Sequence, residues 1–302
     1  MSLRQWTIRF FRRDDVSKVA KLLSAVAGFD SSVEAKSESW LSNILEHPSV
    51  SSDEQWSVAE AKNGAMVGVC LSFNVGTTRT EVVVAVNPAW RRQGIGKTFI
   101  ESLPKKRRFL IDTKASVVGA TAWLKSAGFE ERYRHKLMRR EVGSETEASL
   151  PSWASIEDDR GRDAQRFRTT DLLVNGEDAE TEMDAVKQKL QRAGTRILYM
   201  QTPKGDDGYA LLVASEWCKK DEFDRNGAPT IGVLEHIGLS KSVRGKGLSR
   251  PLLRTALMGF AEDGYAAVEV LADARRQAAV ELYVREGFSE YDEVIHWIRR
   301  DA

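Results

Sequence analysis

Short alternating apolar runs and helix-spaced apolar stripes follow one another along this chain in an order that occurs twice. In the first half, Trp6 to Arg12 alternates like a strand, and Asp14 or Asp15 can cap a helix carrying Val16, Val19, Ala20, Leu22 and Leu23. Ser57 to Ala61 and Met66 to Val75 flank Lys62-Asn63-Gly64, a strong hairpin turn. A strand from Glu81 to Asn87 leads into a basic glycine loop, Arg91 to Gly96, and a helix from Lys97 that stops near Pro104. Phe109 to Ile111 reads as a further strand, followed by a helix around Val117 to Ala127 closed by Gly128-Phe129.

The second half repeats this order. Phe167 to Val174 reads as a strand, Ala179 to Gln191 as a helix, and Ile197 to Met200 with Tyr209 to Ala214 as a hairpin. Thr230 to Leu239 is the strand before a second loop, Arg244 to Ser249. Leu248, Leu252, Leu253, Ala256, Leu257 and Phe260 then mark one helix face. Ala267 to Leu271 is a strand, and a helix around Gln277 to Glu286 is closed by Gly287-Phe288. The loop arginines, 91 and 244, stand 153 residues apart, and the Gly-Phe pairs at 128 and 287 stand 159 apart, so the repeat is a whole domain. Glu141 to Arg162, rich in Glu, Asp and Ser with Pro151, suits a solvated linker. The division expected is a first domain over 1–140, a linker over 141–162 and a second domain over 163–302.

Composition changes this picture little. Lys and Arg number 45 against 44 Asp and Glu, and a net charge of +1 gives no reason to expect a nucleic-acid or membrane partner. The N-terminus carries no apolar signal core, and apolar runs such as Val82 to Val86 are too short to span a bilayer, so a cytoplasmic protein is expected. Cys70 and Cys218 lie far apart in apolar or strand-like stretches and are expected as buried thiols rather than a disulfide. His47, His135, His236 and His296 show no ligand spacing, and no metal site is implied.

The two loops, Arg91-x-x-Gly94-x-Gly96 and Arg244-x-x-Gly247-x-Ser249, have the chemistry of an anion site. Glycines let the backbone approach a ligand, consecutive N–H groups at a helix start point at one place, and arginine can add charge-assisted bonds to phosphate oxygens. One such loop is equally a solvated turn that caps a helix; two in the same strand-loop-helix setting point to a pyrophosphate. Neither has P-loop or Gly-x-Gly-x-x-Gly spacing.

With its loop between a strand and a helix, and a later helix ending Tyr283-x-x-x-Gly287-Phe288, the sequence resembles the GNAT N-acetyltransferase superfamily. The resemblance covers nearly the whole chain as two copies, and a tandem with a weakened first copy is similar to the mycothiol synthases. It implies an α/β class with a mixed sheet: two tandem domains, each a twisted, mostly antiparallel sheet with helices on both faces. It also implies an acyltransferase using acetyl-CoA, with a small-molecule primary amine as acceptor and direct attack on the thioester.

Carried over residue by residue, Ile237 and Leu239, flanking Gly238, would pair with the pantetheine arm. The backbone of Arg244, Gly245, Lys246, Gly247, Leu248 and Ser249 would hold the pyrophosphate. Tyr283 would protonate the leaving thiolate, or be a core aromatic. Glu235 is the nearest acidic residue to a general base, two residues nearer the loop than the family's position, here Val233; a structural ion pair is its other reading. His236 is a weaker choice, pointing the other way unless a bulge intervenes. Arg276 stands where many relatives have asparagine and would lie near the phosphates. In the first copy Val86, Arg91, Arg92, Gly94 and Gly96 retain the loop, but Leu124 replaces the tyrosine, and only 34 residues separate loop glycine from closing glycine, against 40 in the second. Its helix and strand are therefore expected to be clipped, and its role to be binding or scaffolding. The rival reading is a non-catalytic acyl-CoA-binding tandem; a longer acyl chain or a hydroxyl acceptor is also open.

Overall fold

A computed structural model describes residues 5–30, 33, 36–45, 56–75, 79–104, 107–143, 146, 149–160, 163–176, 179, 182–192, 194–215 and 230–300. Cys218 and His47 lie outside the described residues. The chain forms two compact units, Met1–His135 with Asp292–Ala302, and Lys136–Tyr291.

The first unit begins with β1 (Trp6–Phe10), and Asp15, buried in the turn that follows, accepts from the Arg12 backbone and from both terminal nitrogens of Arg9. Helix α1 (Val16–Asp30) buries Val19, Leu22, Leu23 and Val26, the i, i+3, i+4, i+7 stripe of an amphipathic helix, and α2 (Glu38–Leu45) follows. The turn at Asn63-Gly64, with Gly64 at φ 79°, joins β2 (Ser57–Ala61) to β3 (Met66–Val75). Strand β4 (Arg79–Val86), helix α3 (Ile95–Ser102), strand β5 (Arg108–Lys114) and helix α4 (Val118–Ser126) complete the sequence order expected. Two apolar layers result: α1 and α2 bury Trp56, Val69 and Leu71 on one face, while α3 and α4 bury Val67, Cys70 and Phe109 on the other.

The second unit has the same plan, with β7 (Ser155–Asp159), β8 (Arg196–Thr202), β9 (Gly205–Ala214), β10 (Ile231–Leu239) and β11 (Ala267–Asp273). Helices α5 (Ala164–Asn175) and α6 (Met183–Leu190) cover one face of its sheet; α7 (Ser249–Glu262) and α8 (Gln277–Arg285) cover the other. The segment read as a linker therefore carries strand β7.

Two other sequence expectations are corrected. Phe167 to Val174 is helical: Phe167, Thr170, Asp171 and Val174 are buried at helical spacing, and the Asp163 side chain accepts the Gln165 and Arg166 N–H groups as a cap. The first copy is clipped in its loop helix alone, because α3 has 8 residues and α7 has 14, whereas β5 and β11 both have 7; the six residues are the whole of the difference.

Within the first unit the strand order is β1-β2-β3-β4-β5-β12, where β12 (Ser289–Arg300) is the last strand of the chain. Its residues Val294 to Arg300 pair antiparallel with β5. Within the second unit the order is β7-β8-β9-β10-β11-β6, and β6 (Glu130–Glu141), the strand that follows α4, takes the place beside β11. Each unit thus takes its final strand from the sequence of the other copy. Neighbours run antiparallel from β1 to β4 and from β7 to β10, but β4 with β5, and β10 with β11, are parallel.

Candidate active site

The parallel pairs are short, and that is what opens a site. Strands β10 and β11 pair only over Ile231–Leu234 with Ala267–Val270, although β10 runs on to Leu239 and β11 to Asp273. Strands β4 and β5 likewise pair over Arg79–Glu81 alone. Beyond these points the strands part, and Ile237, Gly238 and Leu239 in the second unit, like Val86 in the first, lie past the paired stretch.

A bulge marks the parting in the second unit. Leu234 lies opposite Leu212 and His236 opposite Leu211, so Glu235 is the extra residue. Gly232, Leu234, Ile237 and Leu239 face α7 and α8, where Phe260 lies so close to Gly232 that a Cβ would come within 2.3 Å of its ring. Val233 and His236 face α5 and α6. The extra residue turns both Glu235 and His236 to that second face, which the period of an unbroken strand forbids.

Glu235 is held there by two cations: Oε2 accepts from Arg192, and Lys189 Nζ lies 3.3 Å from Oε1. His236 stacks on Tyr209, ring centres 4.8 Å apart and planes inclined at 25°. Tyr209 donates its hydroxyl to Asp171 Oδ1 at 2.7 Å, and Asn175 Nδ2 donates to the same oxygen at 2.5 Å. Asn175 Nδ2 also lies 3.4 Å from His236 Nε2. Burial pushes the His236 imidazole down to about 4; Asp171 and Glu235 oppose this, while Lys189 and Arg276 add to it. Sequence reasoning missed Asp171, Asn175 and Tyr209. The signal was an acidic residue four places after Phe167 on what proves to be a helix face.

The glycine loops have a shared geometry that the sequence assigned differently. Arg244 Nε donates to the Leu239 carbonyl at 2.9 Å, and a terminal nitrogen donates to the Val174 carbonyl near the end of α5 at 3.1 Å. In the first unit Arg91 Nε donates to the Val86 carbonyl at 3.1 Å, and a terminal nitrogen pairs with Asp30, the last residue of α1. Both arginines therefore fasten the loop to the end of its strand and to the domain's first long helix. Each side chain thus gives two of its donor nitrogens to the fold, a use that the reading of these arginines as phosphate ligands did not include.

The backbone of the second loop is open. Gly245 and Gly247 have φ of 75° and 78°, and a Cβ at either would meet nothing within 4 Å. Arg92 and Gly94 hold the matching positions at 64° and 85°. Among the described residues no side chain caps α7. A cavity of about 660 Å³ adjoins its start, lined by Gly245, Gly247, Ser249 and Arg250 on one side and by Leu282 and Arg285 of α8 on the other. Leu248 is buried beneath the loop, and Lys246 Nζ lies 5.7 Å from the centre of the Trp153 ring. Glu286, 5% exposed, ties the walls together by accepting from Arg250 at 2.5 Å and Arg254 at 2.7 Å. Burial alone would raise its carboxyl, but these hydrogen bonds outweigh it and hold the group below the usual carboxylate range. In the first unit Trp123 packs on the loop helix, and a Cβ on Gly96 would come within 3.1 Å of its ring.

Tyr283 lies on α8, buried against the α7 layer, its ring 5.5 Å from Phe288. Burial raises its phenol above the ordinary range, and the charge of Arg276 partly offsets this. Arg276 Nε stands 3.8 Å from Asp273 at the head of α8. Leu124, its counterpart helix residue in the first unit to Tyr283, is fully buried and carries no proton to give.

No family model matches the chain. It is 27% identical over 255 residues to a mycothiol acetyltransferase of Geodermatophilus obscurus, covering 80% of this chain and 81% of that one. With a mycothiol acetyltransferase of Corynebacterium efficiens it shares 25% identity, covering 96% and 95%. Among solved structures, a tandem GNAT protein from the clavulanic acid biosynthesis pathway superposes with a TM-score of 0.74 at 15% identity, over 98% of this chain and 99% of that one. A GCN5-related N-acetyltransferase from Sphaerobacter thermophilus gives 0.73 at 14%, over 99% and 96%. The chain therefore has the fold of these tandem GNAT structures, and its likeness to the mycothiol acetyltransferases makes it an acyltransferase.

Proposed function

We propose that the chain is an acetyl-CoA-dependent N-acetyltransferase, that its chemistry belongs to the second unit, and that its acceptor is a small molecule with a primary amine. The observation that carries this reading is the parting of β10 and β11 next to a glycine loop and in the unit that holds Tyr283. The 660 Å³ cavity at the loop fits a bound anion: open left-handed glycines, uncapped helix N–H groups and flanking arginines suit a pyrophosphate. When bound, acetyl-CoA supplies the acyl group as a thioester.

The chain's own residues do the rest. Gly245 to Ser249 bind the diphosphate through the backbone, Ile237 and Leu239 hold the pantetheine arm along the open part of β10, and Tyr283 gives its proton to the leaving sulfur. Arg276 favours that step, since its charge works against the burial that makes the phenol a weaker acid. In the first unit Leu124 and the Trp123 ring against Gly96 support a non-catalytic role for that copy, with Arg91, Arg92 and Gly94 kept as a loop scaffold.

Purified protein incubated with acetyl-CoA and a panel of glucosamine, cysteine, spermidine and a lysine-containing peptide, read by mass spectrometry, tests this. Acetylation of at least one amine is expected. Coenzyme A binding without any acetylated product overturns the reading in favour of a binding module.

A further inference from the structure

The transferase reading leaves open what removes the proton from the attacking amine, and the α5–α6 face of the second unit answers it. Glu235 is poorly suited, because both its oxygens are engaged by Arg192 and Lys189. Neither oxygen is left to face an incoming amine N–H. His236 has the opposite setting. The bulge at Glu235 brings its ring to the same face, and Gly238, two residues on, leaves room for it: a Cβ there would lie 2.7 Å from His236 Nε2 and 2.4 Å from Val174 Cγ1.

The proton positions follow from the neighbours. Asn175 must turn its NH₂ toward the Asp171 carboxylate, since its carbonyl oxygen would be repelled there. The same NH₂ is the group 3.4 Å from His236 Nε2, so Nε2 is the ring nitrogen with the lone pair and Nδ1 carries the hydrogen. That contact is long for a hydrogen bond, and a substrate N–H can take it over. Asp171 is itself fixed by the Tyr209 hydroxyl at 2.7 Å, and Tyr209 is the ring on which His236 stacks. Side chains from α5, β9 and β10 therefore hold one imidazole, in one tautomer, beside the strand parting. Tyr283 lies in the opposite layer.

We propose that His236 Nε2 accepts the proton of the attacking amine, with Asn175, Asp171 and Tyr209 as positioning residues. The nitrogen forms its bond to the acyl carbon, the carbon–sulfur bond breaks with its electron pair on sulfur, the N–H proton passes to His236, and Tyr283 protonates the sulfur. Transfer from imidazolium to phenolate through solvent restores both groups. The charged and titratable groups whose fields act on the ring are Asp171 from α5, Lys189 from α6, Glu235 from its own strand and, from the opposite layer, Arg276 before α8, while Tyr209 from β9 stacks on it. The ring is neutral at physiological pH and can take the N–H proton as the nitrogen–carbon bond forms; an acceptor that arrives as an ammonium first gives one proton to solvent.

The inference rests on the transferase reading, and the test separates the two. With the best amine of the panel named above, His236→Asn is expected to lower kcat by about 100-fold or more, with coenzyme A affinity by calorimetry within about threefold of wild type. Imidazole added to His236→Ala is expected to restore at least about tenfold of the lost rate, which a purely structural role would not allow. Glu235→Gln is expected to cost less than about tenfold. Near wild-type turnover by His236→Asn, no imidazole rescue of His236→Ala that still binds coenzyme A, or a larger loss in Glu235→Gln than in His236→Asn, each overturns the proposal for His236 and leaves the transferase in place. Wild-type protein that acetylates none of the amines removes both.

Discussion

Replacing His236 by asparagine should change how the second unit responds to acid, whatever the protein's acceptor. In the folded chain the imidazole is pushed from its ordinary value of 6.5 down to about 4, chiefly by burial. At about 1.36 kcal/mol per pH unit, this difference is worth about 3 kcal/mol. The sign follows from which state holds the proton. Below 6.5 the unfolded chain protonates His236 and the folded chain does not, so stability is full above 6.5, falls as the pH drops toward 4, and levels off below that. Hydrogen exchange of peptides from β9 and β10, measured in urea between pH 7.5 and 4, reads this unit by itself. Wild type should lose about 3 kcal/mol more than His236→Asn across that range. Parallel curves, within about 1 kcal/mol of each other at every pH, would refute the burial argument for this ring.

Tyr283→Phe should lower acetyl transfer by at least about tenfold in kcat while calorimetric coenzyme A affinity stays within a factor of about two; equal rates would remove the acid role. Gly238→Ala should destabilise the second unit by roughly 1–3 kcal/mol, because its Cβ would press on Val174 and His236, and differential scanning calorimetry should show the lower Tm. Arg244→Lys, which loses the fork that reaches both Leu239 and Val174, should weaken coenzyme A binding by roughly tenfold; unchanged affinity would show that the loop keeps its shape without this tie. Glu286→Gln should act in the same direction by freeing Arg250 and Arg254, and the same titration would read it.

Much of this architecture was legible in local pattern. The Asn63-Gly64 hairpin, the α7 stripe from Leu252 to Phe260 and the paired glycine loops each carry their signal within a dozen residues. Helix α5 was misread because Arg168-Thr169-Thr170 and Leu172-Leu173-Val174 look like an extended run. The Asp163 cap was a local cue that went unread, and the burial of Asp171 belongs to tertiary structure. The same error hid the cluster around His236. The bulge at Glu235 depends on register against β9, which no neighbouring residue announces. The loop arginines were singled out as phosphate ligands, but their side chains reach Val86 and Leu239, partners that such a motif does not suggest.

The exchanged final strands have a consequence for biosynthesis. The first unit has its β1 to β5 and four helices once synthesis has passed His135, yet its sheet still lacks the strand that pairs with β5. That strand ends at Arg300, 165 residues later, which at about 5–20 residues per second is roughly 8–30 s of further synthesis. For that interval Arg108 to Lys114 is an exposed sheet edge on a nascent chain, the kind of surface that invites pairing with a stranger or capture by a chaperone. The second unit receives β6 before the rest of its sheet exists and meets no such delay. The unit begun first is finished last, and errors of assembly in this protein should concentrate at its β5 edge.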